Sequence, residues 1–381
     1  MRAVKCPMKN FFKKITRKYH EPDYYFIIIL ILVVLIGLVF LTSASAVVGL
    51  KNFGSSVFFL KHQLLNGLLP GLILFFLLSF WDYRHLKKLA LPLLIISIVL
   101  LLLVFAPHVG YGSGGARRWI TALGLTFQPS ELTKLALIIY LAALFDRQKK
   151  KVQTWTGGLL PVVIVFFVVA AIILMQKDLG TLIVIFVIIL GVYYLAGSRW
   201  FHWTIMFGGA AVLFSIMVLA VPYRFNRFLT FFYPNLDPLG IGYQINQSLI
   251  AIGSGGLLGM GLGLSRQKYF YLPEAYGDSI FAVIAEEIGF FLIVIVLSLF
   301  FWIFLRGLKI AKRAPDFFGQ LLASGILIWF LTQLVINVGS MLHLFPLTGV
   351  PLPFVSYGGS SMMIFLAAFG IIVNISRQTQ E

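Results

Sequence analysis

Cysteine is nearly absent: the 381 residues contain one, Cys6. That excludes an intrachain disulfide and a cysteine-built metal cluster. Charge is scarce too, 11% against about 25% in an ordinary soluble domain, and only 13 residues are acidic. No HExxH pair, aspartate-rich metal loop or Walker lysine occurs, so the sequence contains no recognisable metal or nucleotide motif. No repeat period of roughly 20–50 residues is visible either. The longest stretch between apolar runs, 222–277, is too short for a separate soluble domain.

Hydrophobicity, in contrast, is abundant. The chain is 60% apolar, with a mean hydropathy of +0.97. Its apolar runs pass the roughly 18 residues that separate a membrane span from a core helix. The first contains FIIILILVVLIGLVFL, which lacks the alternation of a β-barrel strand. The sequence therefore predicts an all-α polytopic membrane protein with about ten transmembrane helices. Polar punctuation places the spans near 24–45, 58–80, 87–106, 131–146, 158–175, 179–196, 203–221, 279–305, 316–342 and 357–376. Residues 1–23 then form a basic N-terminal segment, 24–376 the membrane domain and 377–381 a short tail. Both termini are expected in the cytoplasm, with 222–277 a large extracytoplasmic loop between the seventh and eighth spans.

The charge distribution supports this topology. All but ten of the 30 basic residues fall on segments assigned inward, and the ten are Lys51, Lys61, Arg117, Arg118, Lys134, Lys177, Arg224, Arg227, Arg266 and Lys268. This is the positive-inside bias, so the net charge of +17 reflects topology and inner-leaflet lipid rather than nucleic acid. The start resembles a signal peptide's basic region, but the apolar run after it is too long for an h-region. It predicts a retained first helix, preceded by a short interfacial helix around Phe11, Phe12 and Ile15.

Polar chemistry gathers on the other side. In GGARRW, Arg117 and Arg118 are either a planar fork for phosphate or an interfacial anchor beside Trp119. In QPSELTK, Pro129 opens a helix that Ser130 helps to cap. Glu131 and Lys134 share one face of that helix, as a structural ion pair or as part of a site. In MQKDLGT, Asp178 either caps the next helix or meets the arginines, while Lys177 fits a plain hairpin. AIGSGGLLGMGLGLSRQK follows no strand, so it is no nucleotide loop. It reads as a mobile cover at the lipid interface, followed by Arg266 and Lys268 among aromatics.

Glu274, Asp278, Glu286 and Glu287 place four of the 13 acids within YLPEAYGDSIFAVIAEEIGF. Asp278 stands at the mouth of the eighth span, where a partly dehydrated carboxylate can act as a base near neutral pH. Glu286 and Glu287 lie deeper and face different directions, about 80° and 180° from Asp278 on a helical wheel. At least one is therefore expected to be structural.

SRQKYFYLPEAYGDSIFAVIAEEIGF, GARRWI, FQPSELTK, QKDLGT and TGVPLPFVSYGGSS resemble, in order, the signature blocks of the SEDS family, which includes FtsW, RodA and SpoVE. The wording SRQKYFYLPEA is nearest to FtsW. The resemblance implies a peptidoglycan glycosyltransferase at the outer face of the bacterial cytoplasmic membrane. Such an enzyme polymerises lipid II, a disaccharide-pentapeptide on undecaprenyl pyrophosphate, beside a class B penicillin-binding protein and other division or elongation proteins. It also implies Asp278 as the catalytic base, with Arg117, Arg118, Glu131, Lys134 and Asp178 lining the substrate cavity. Lys177, Arg266, Lys268, Glu274 and Ser356 join them as candidate substrate-binding residues. No cofactor is required, with a divalent cation (Mg or Mn) as an optional auxiliary at the pyrophosphate. Three positions depart from the family pattern: Tyr276-Gly277 replaces His-Thr before Asp278, and Lys177 replaces Pro before Asp178. Lys177 is thereby an extra candidate phosphate contact, for which Lys177→Pro is the natural test. The rival readings are an elongation polymerase of the RodA type, a lipid II flippase or other transporter, and a scaffold that only positions the penicillin-binding protein.

Overall fold

The computed structural model describes residues 21–107, 109–113, 116–122, 125–219, 225, 231–233 and 240–379. The basic segment with Phe11, Phe12 and Ile15, and Arg224 and Arg227 of the long loop, lie outside the described residues. A helix stands at each of the ten expected spans. These are α1 Tyr24–Phe53, α2 Phe58–Phe80, α3 Tyr83–Leu103, α4 Pro129–Arg147, α5 Trp155–Met175 and α6 Leu179–Leu195. After them come α7 Trp200–Leu219, α9 Ile280–Lys312, α10 Phe317–Met341 and α11 Gly359–Ser376. Seven of the ten are long and apolar enough to cross a bilayer by length and composition. The last begins at Gly359, so Tyr357, placed inside a span by sequence, belongs to the preceding turn.

Two elements were not expected. The segment after α3 is a three-stranded antiparallel sheet: β1 Gly110–Ser113, β2 Ala116–Ala122 and β3 Leu125–Phe127. The long loop also contains a helix, α8 Ile241–Gly255.

Alternate helix ends meet at one pole. Asp23, just before α1, accepts from Arg306 Nε near the end of α9 at 2.7 Å, and its own N–H donates to Ser376 Oγ at the end of α11. Arg84 at the start of α3 donates to Asp316, the N-cap of α10, at 2.7 Å. Lys87 of α3 pairs with Asp146 near the end of α4. Helices 1, 3 and 10 thus begin where 4, 9 and 11 end, which is the alternation a serpentine membrane chain requires.

Helices α10 and α11 form the centre. Trp329 and Phe330 stack and edge-pack against Phe365 and Phe369, and all four are fully buried. The outer helices instead expose rings such as Phe76 (56%), Phe290 (57%) and Trp302 (56%). A belt of exposed large apolar side chains of this extent marks a surface made for lipid. The protein is a multi-pass membrane protein.

Helix α9 breaks at Gly289 (φ 71°, ψ −178°), freeing backbone groups that lipid cannot satisfy. The glycine-rich segment supplies the partners. Met260 N donates to Glu286 O at 3.0 Å and Gly261 N to Glu287 O at 2.9 Å. Phe290 N and Phe291 N donate in turn to Gly256 O and Leu257 O. A Cβ on Gly289 would strike Gly259 N, so both the positive φ and the close approach demand glycine. The segment expected to be a mobile cover is here hydrogen-bonded across the break as a clasp.

Both deep acids serve that clasp. Glu286 accepts from Ser265 Oγ at 2.5 Å and from the main-chain N–H of Arg266 and Gln267. Glu287 pairs with Lys268 at 2.9 Å and accepts from Ser43 Oγ of α1.

Candidate active site

The pole opposite the terminal ion pairs holds a cavity of about 280 Å³. Its wall includes Arg118, Glu131, Lys134, Asp178, Glu274 and Asp278. A larger space, about 580 Å³, lies beside Arg147, Lys149, Lys150 and Lys151 at the end of α4. It contains no carboxylate to act as a base, so the chemistry belongs to the smaller cavity.

Each wall residue is held by a local device. The sheet aims Arg118: its Nη2 donates to Lys177 O at 2.5 Å, and its Nε lies 3.8 Å from Asp178 Oδ2. Asp178 also caps α6, accepting from Thr181 N and Thr181 Oγ1. Both roles left open by the sequence are therefore filled by one side chain. At the start of α4, Pro129 occupies the first turn, and Gln128 N donates to Ser360 Oγ at 2.9 Å. Ser130, expected to cap, is buried with its hydroxyl unpartnered.

One turn on, Lys134 Nζ donates to Glu131 Oε1 at 2.8 Å and to Gln333 Oε1 of α10 at 3.0 Å. Trp329 Nε1 donates to the same Gln333 oxygen, and its ring lies beneath the ammonium. Both charges are 1% exposed, and Glu131 Oε2 has no hydrogen-bond partner. An ammonium has three N–H donors, so Lys134 keeps one in the cavity wall.

Asp278 sits just before α9, half-buried. Asn337 Nδ2 of α10 donates to its main-chain oxygen at 2.8 Å, and Gln244 Nε2 of α8 approaches its Oδ1 at 3.4 Å. Gly349 passes beside the carboxylate, where a Cβ would come within 3.8 Å of Oδ2. Glu274 stands at the mouth, its backbone in the left-handed region (φ 51°). It is exposed, yet closely flanked by protein, and this partial burial raises its carboxyl above the ordinary 4.5. Burial, then the Glu274 charge, raises the Tyr276 phenol as well.

Several sequence candidates stand elsewhere. Arg117 and Arg118 are consecutive on a strand, so they point to opposite faces, and Arg117 is exposed outside the cavity. Lys177 contributes its carbonyl while its side chain is exposed. Its φ of 58° is closed to proline, so Lys177→Pro would break the turn rather than test a phosphate contact. Arg266 is exposed on the clasp, and Lys268 is buried against Glu287. Ser356 Oγ accepts from Leu352 N inside a turn. The sequence reading missed Gln244, Gln333, Asn337, Tyr357 and Ser361; only the SYGGSS block, quoted for Ser356, pointed near any of them.

Among the described residues no group of three or more His, Cys, Asp or Glu side chains is placed to hold a metal. Asp178 is turned to Thr181 and Arg118, and Glu131 to Lys134.

Residues 23–381 match the family described as "Cell cycle protein", which groups FtsW, RodA and SpoVE. The chain belongs to this family. It is 41% identical over 367 residues to stage V sporulation protein E of Bacillus subtilis, covering 96% of this chain and 100% of that one. It is 39% identical over 368 residues to the probable peptidoglycan glycosyltransferase FtsW of Trichlorobacter lovleyi, covering 95% and 96%. Two solved family structures share the fold. One, from a study of polymerization and crosslinking by a peptidoglycan synthase complex, superposes with a TM-score of 0.76 at 30% identity, covering 93% of this chain and 98% of that one. The other, the rod shape determining protein RodA of Thermus thermophilus, has a TM-score of 0.69 at 29% identity, covering 94% and 98%.

Proposed function

We propose that this chain is a peptidoglycan glycosyltransferase that polymerises lipid II at the outer face of the bacterial cytoplasmic membrane, with a class B penicillin-binding protein as partner. One observation carries the reading: the Asp278 carboxylate shares a single cavity with the cations Arg118 and Lys134. Relatives at 41% and 39% identity carry the names stage V sporulation protein E and FtsW, which supports division or sporulation.

The proposed chemistry uses the groups of the wall. Asp278 takes the proton of the acceptor sugar's 4-hydroxyl as that oxygen attacks the donor's anomeric carbon. The bond from this carbon to the pyrophosphate oxygen breaks on the opposite side, so configuration inverts. The leaving pyrophosphate gains charge in a site of low dielectric, where fixed cations act strongly. Arg118 and the third N–H of Lys134 are the groups available for it. A cavity whose carboxylates and cations all sit at one pole suits an enzyme better than a transporter, which needs access from both sides near the midplane.

The test is polymerisation of labelled lipid II by purified protein with its cognate penicillin-binding protein. Asp278→Asn keeps size and removes the base, so chains should vanish from a folded variant that still binds substrate. Equal chain formation by that variant would remove Asp278 as the base. A scaffold predicts the same equality.

A further inference from the structure

Helix α2 is interrupted. Leu64–Leu68 is a π-helical turn, an expansion often found at functional sites. Around it the helix presents three polar side chains to the turn before α11. Gln63 Oε1 accepts from Gly358 N at 3.0 Å. His62 Nδ1 lies 2.8 Å from Tyr357 Oη, and Asn66 Nδ2 lies 2.7 Å from His62 Nε2. Phe59 packs beside them, its ring centroid 4.4 Å from Tyr276 and 5.0 Å from Tyr357.

With the Asn66 amide nitrogen turned to the ring, as it is placed here, donor accounting gives the tautomer. An amide nitrogen only donates, so His62 Nε2 accepts. The neutral ring then carries its proton on Nδ1 and donates it to Tyr357 Oη. The Tyr357 O–H is thereby turned away from His62, and Tyr357 lines the cavity beside Glu274, Asp278 and Gly358. Burial, with Tyr276 adding, pushes the phenol up to about 12, so it remains a donor at physiological pH.

We propose that Tyr357 donates a hydrogen bond to the substrate oxygen that gains negative charge as the pyrophosphate leaves, and that His62 is the positioning residue that directs it. Tyr357 keeps its proton throughout. This rests on the glycosyltransferase reading. If the wild type forms no glycan with its partner, both fall together; if it polymerises, the variants judge the proposal alone.

Loss of one donor to a developing oxyanion lowers kcat about 10²–10³-fold. Tyr357→Phe should show that loss with little change in KM in protein that remains folded. His62→Leu should lose about tenfold, the effect of one misdirected hydrogen bond. His62→Asn, whose amide reaches the Nδ1 position, should restore most of it. The double variant Tyr357→Phe/His62→Leu should be no slower than Tyr357→Phe alone, because the two act through one bond. In 15N-histidine-labelled protein the signal removed by His62→Asn should belong to an Nδ1–H tautomer. Full-rate Tyr357→Phe, additive losses, or an Nε2–H signal at His62 would each overturn the proposal.

Discussion

Two buried lysine–glutamate pairs use the same ions for different ends. Lys268 and Glu287 lock the glycine-rich clasp to α9; Lys134 and Glu131 stand in the wall of the candidate active site. The difference lies in the donors. Lys268 Nζ engages Glu287 Oε1, Ser43 Oγ and Gly263 O, which uses all three of its N–H groups. Lys134 hydrogen-bonds only Glu131 and Gln333 and rests over the Trp329 ring, which leaves one N–H without a hydrogen-bond partner at a cavity. Charge alone does not make a lysine a ligand; an unused donor beside empty space does.

Four changes can break or sharpen the contrast. The largest effect belongs to Lys134→Met, which leaves Glu131 buried without its partner. Removing one member of a buried pair costs about 3–5 kcal/mol, and lipid II polymerisation should vanish. Adding Glu131→Gln should recover thermal stability without recovering polymerisation. Recovery of both would make the first pair as purely structural as the second.

Lys268→Met should cost a similar share of stability, read by thermal unfolding in detergent. The fraction that remains folded should polymerise with an unaltered KM. A raised KM would return Lys268 to the list of substrate ligands. Next comes Gly289→Ala, which forces on alanine a positive φ with extended ψ that is open essentially to glycine, at about 1–3 kcal/mol. It also pushes a methyl into the clasp, and protease cleavage within 256–268 should accelerate. Unchanged cleavage would mean that the clasp holds without the glycine.

The smallest effect concerns Glu274. Burial raises its carboxyl in the folded state, so folding favours the protonated form. Stability from this group is full below the ordinary carboxylate value and declines as pH rises through the raised one. Glu274→Gln should flatten that decline in unfolding temperature measured against pH. An equally steep decline in the variant would assign the effect to another group.

Much of this was legible in the sequence, for identifiable reasons. Apolar runs give the helices because a bilayer tolerates few alternatives. Glu131 and Lys134 could be paired because a three-residue spacing on a helix is geometry. Asp178 and Asp278 stood out because an acid at the mouth of a membrane helix is costly unless it caps, pairs or serves a site. What escaped was of two kinds. Strand alternation separated Arg117 from Arg118, and nothing in a glycine-rich segment had signalled a strand. Contacts such as His62 to Tyr357 join residues 295 positions apart, and one sequence carries no trace of such a pairing. Lys268 and Arg266 were drawn into the site by composition, when their segment's neighbour is a broken helix.

That break also bears on how the protein is built. The first nine residues of α9 carry two glutamates and end in unsatisfied backbone, a poor passenger for hydrocarbon. The segment that neutralises and completes them, 256–268, precedes α9 in the chain. During synthesis it emerges first, so the counter-charge and the backbone partners are already made when α9 arrives to be inserted. The order of the sequence is thus also a workable order of assembly.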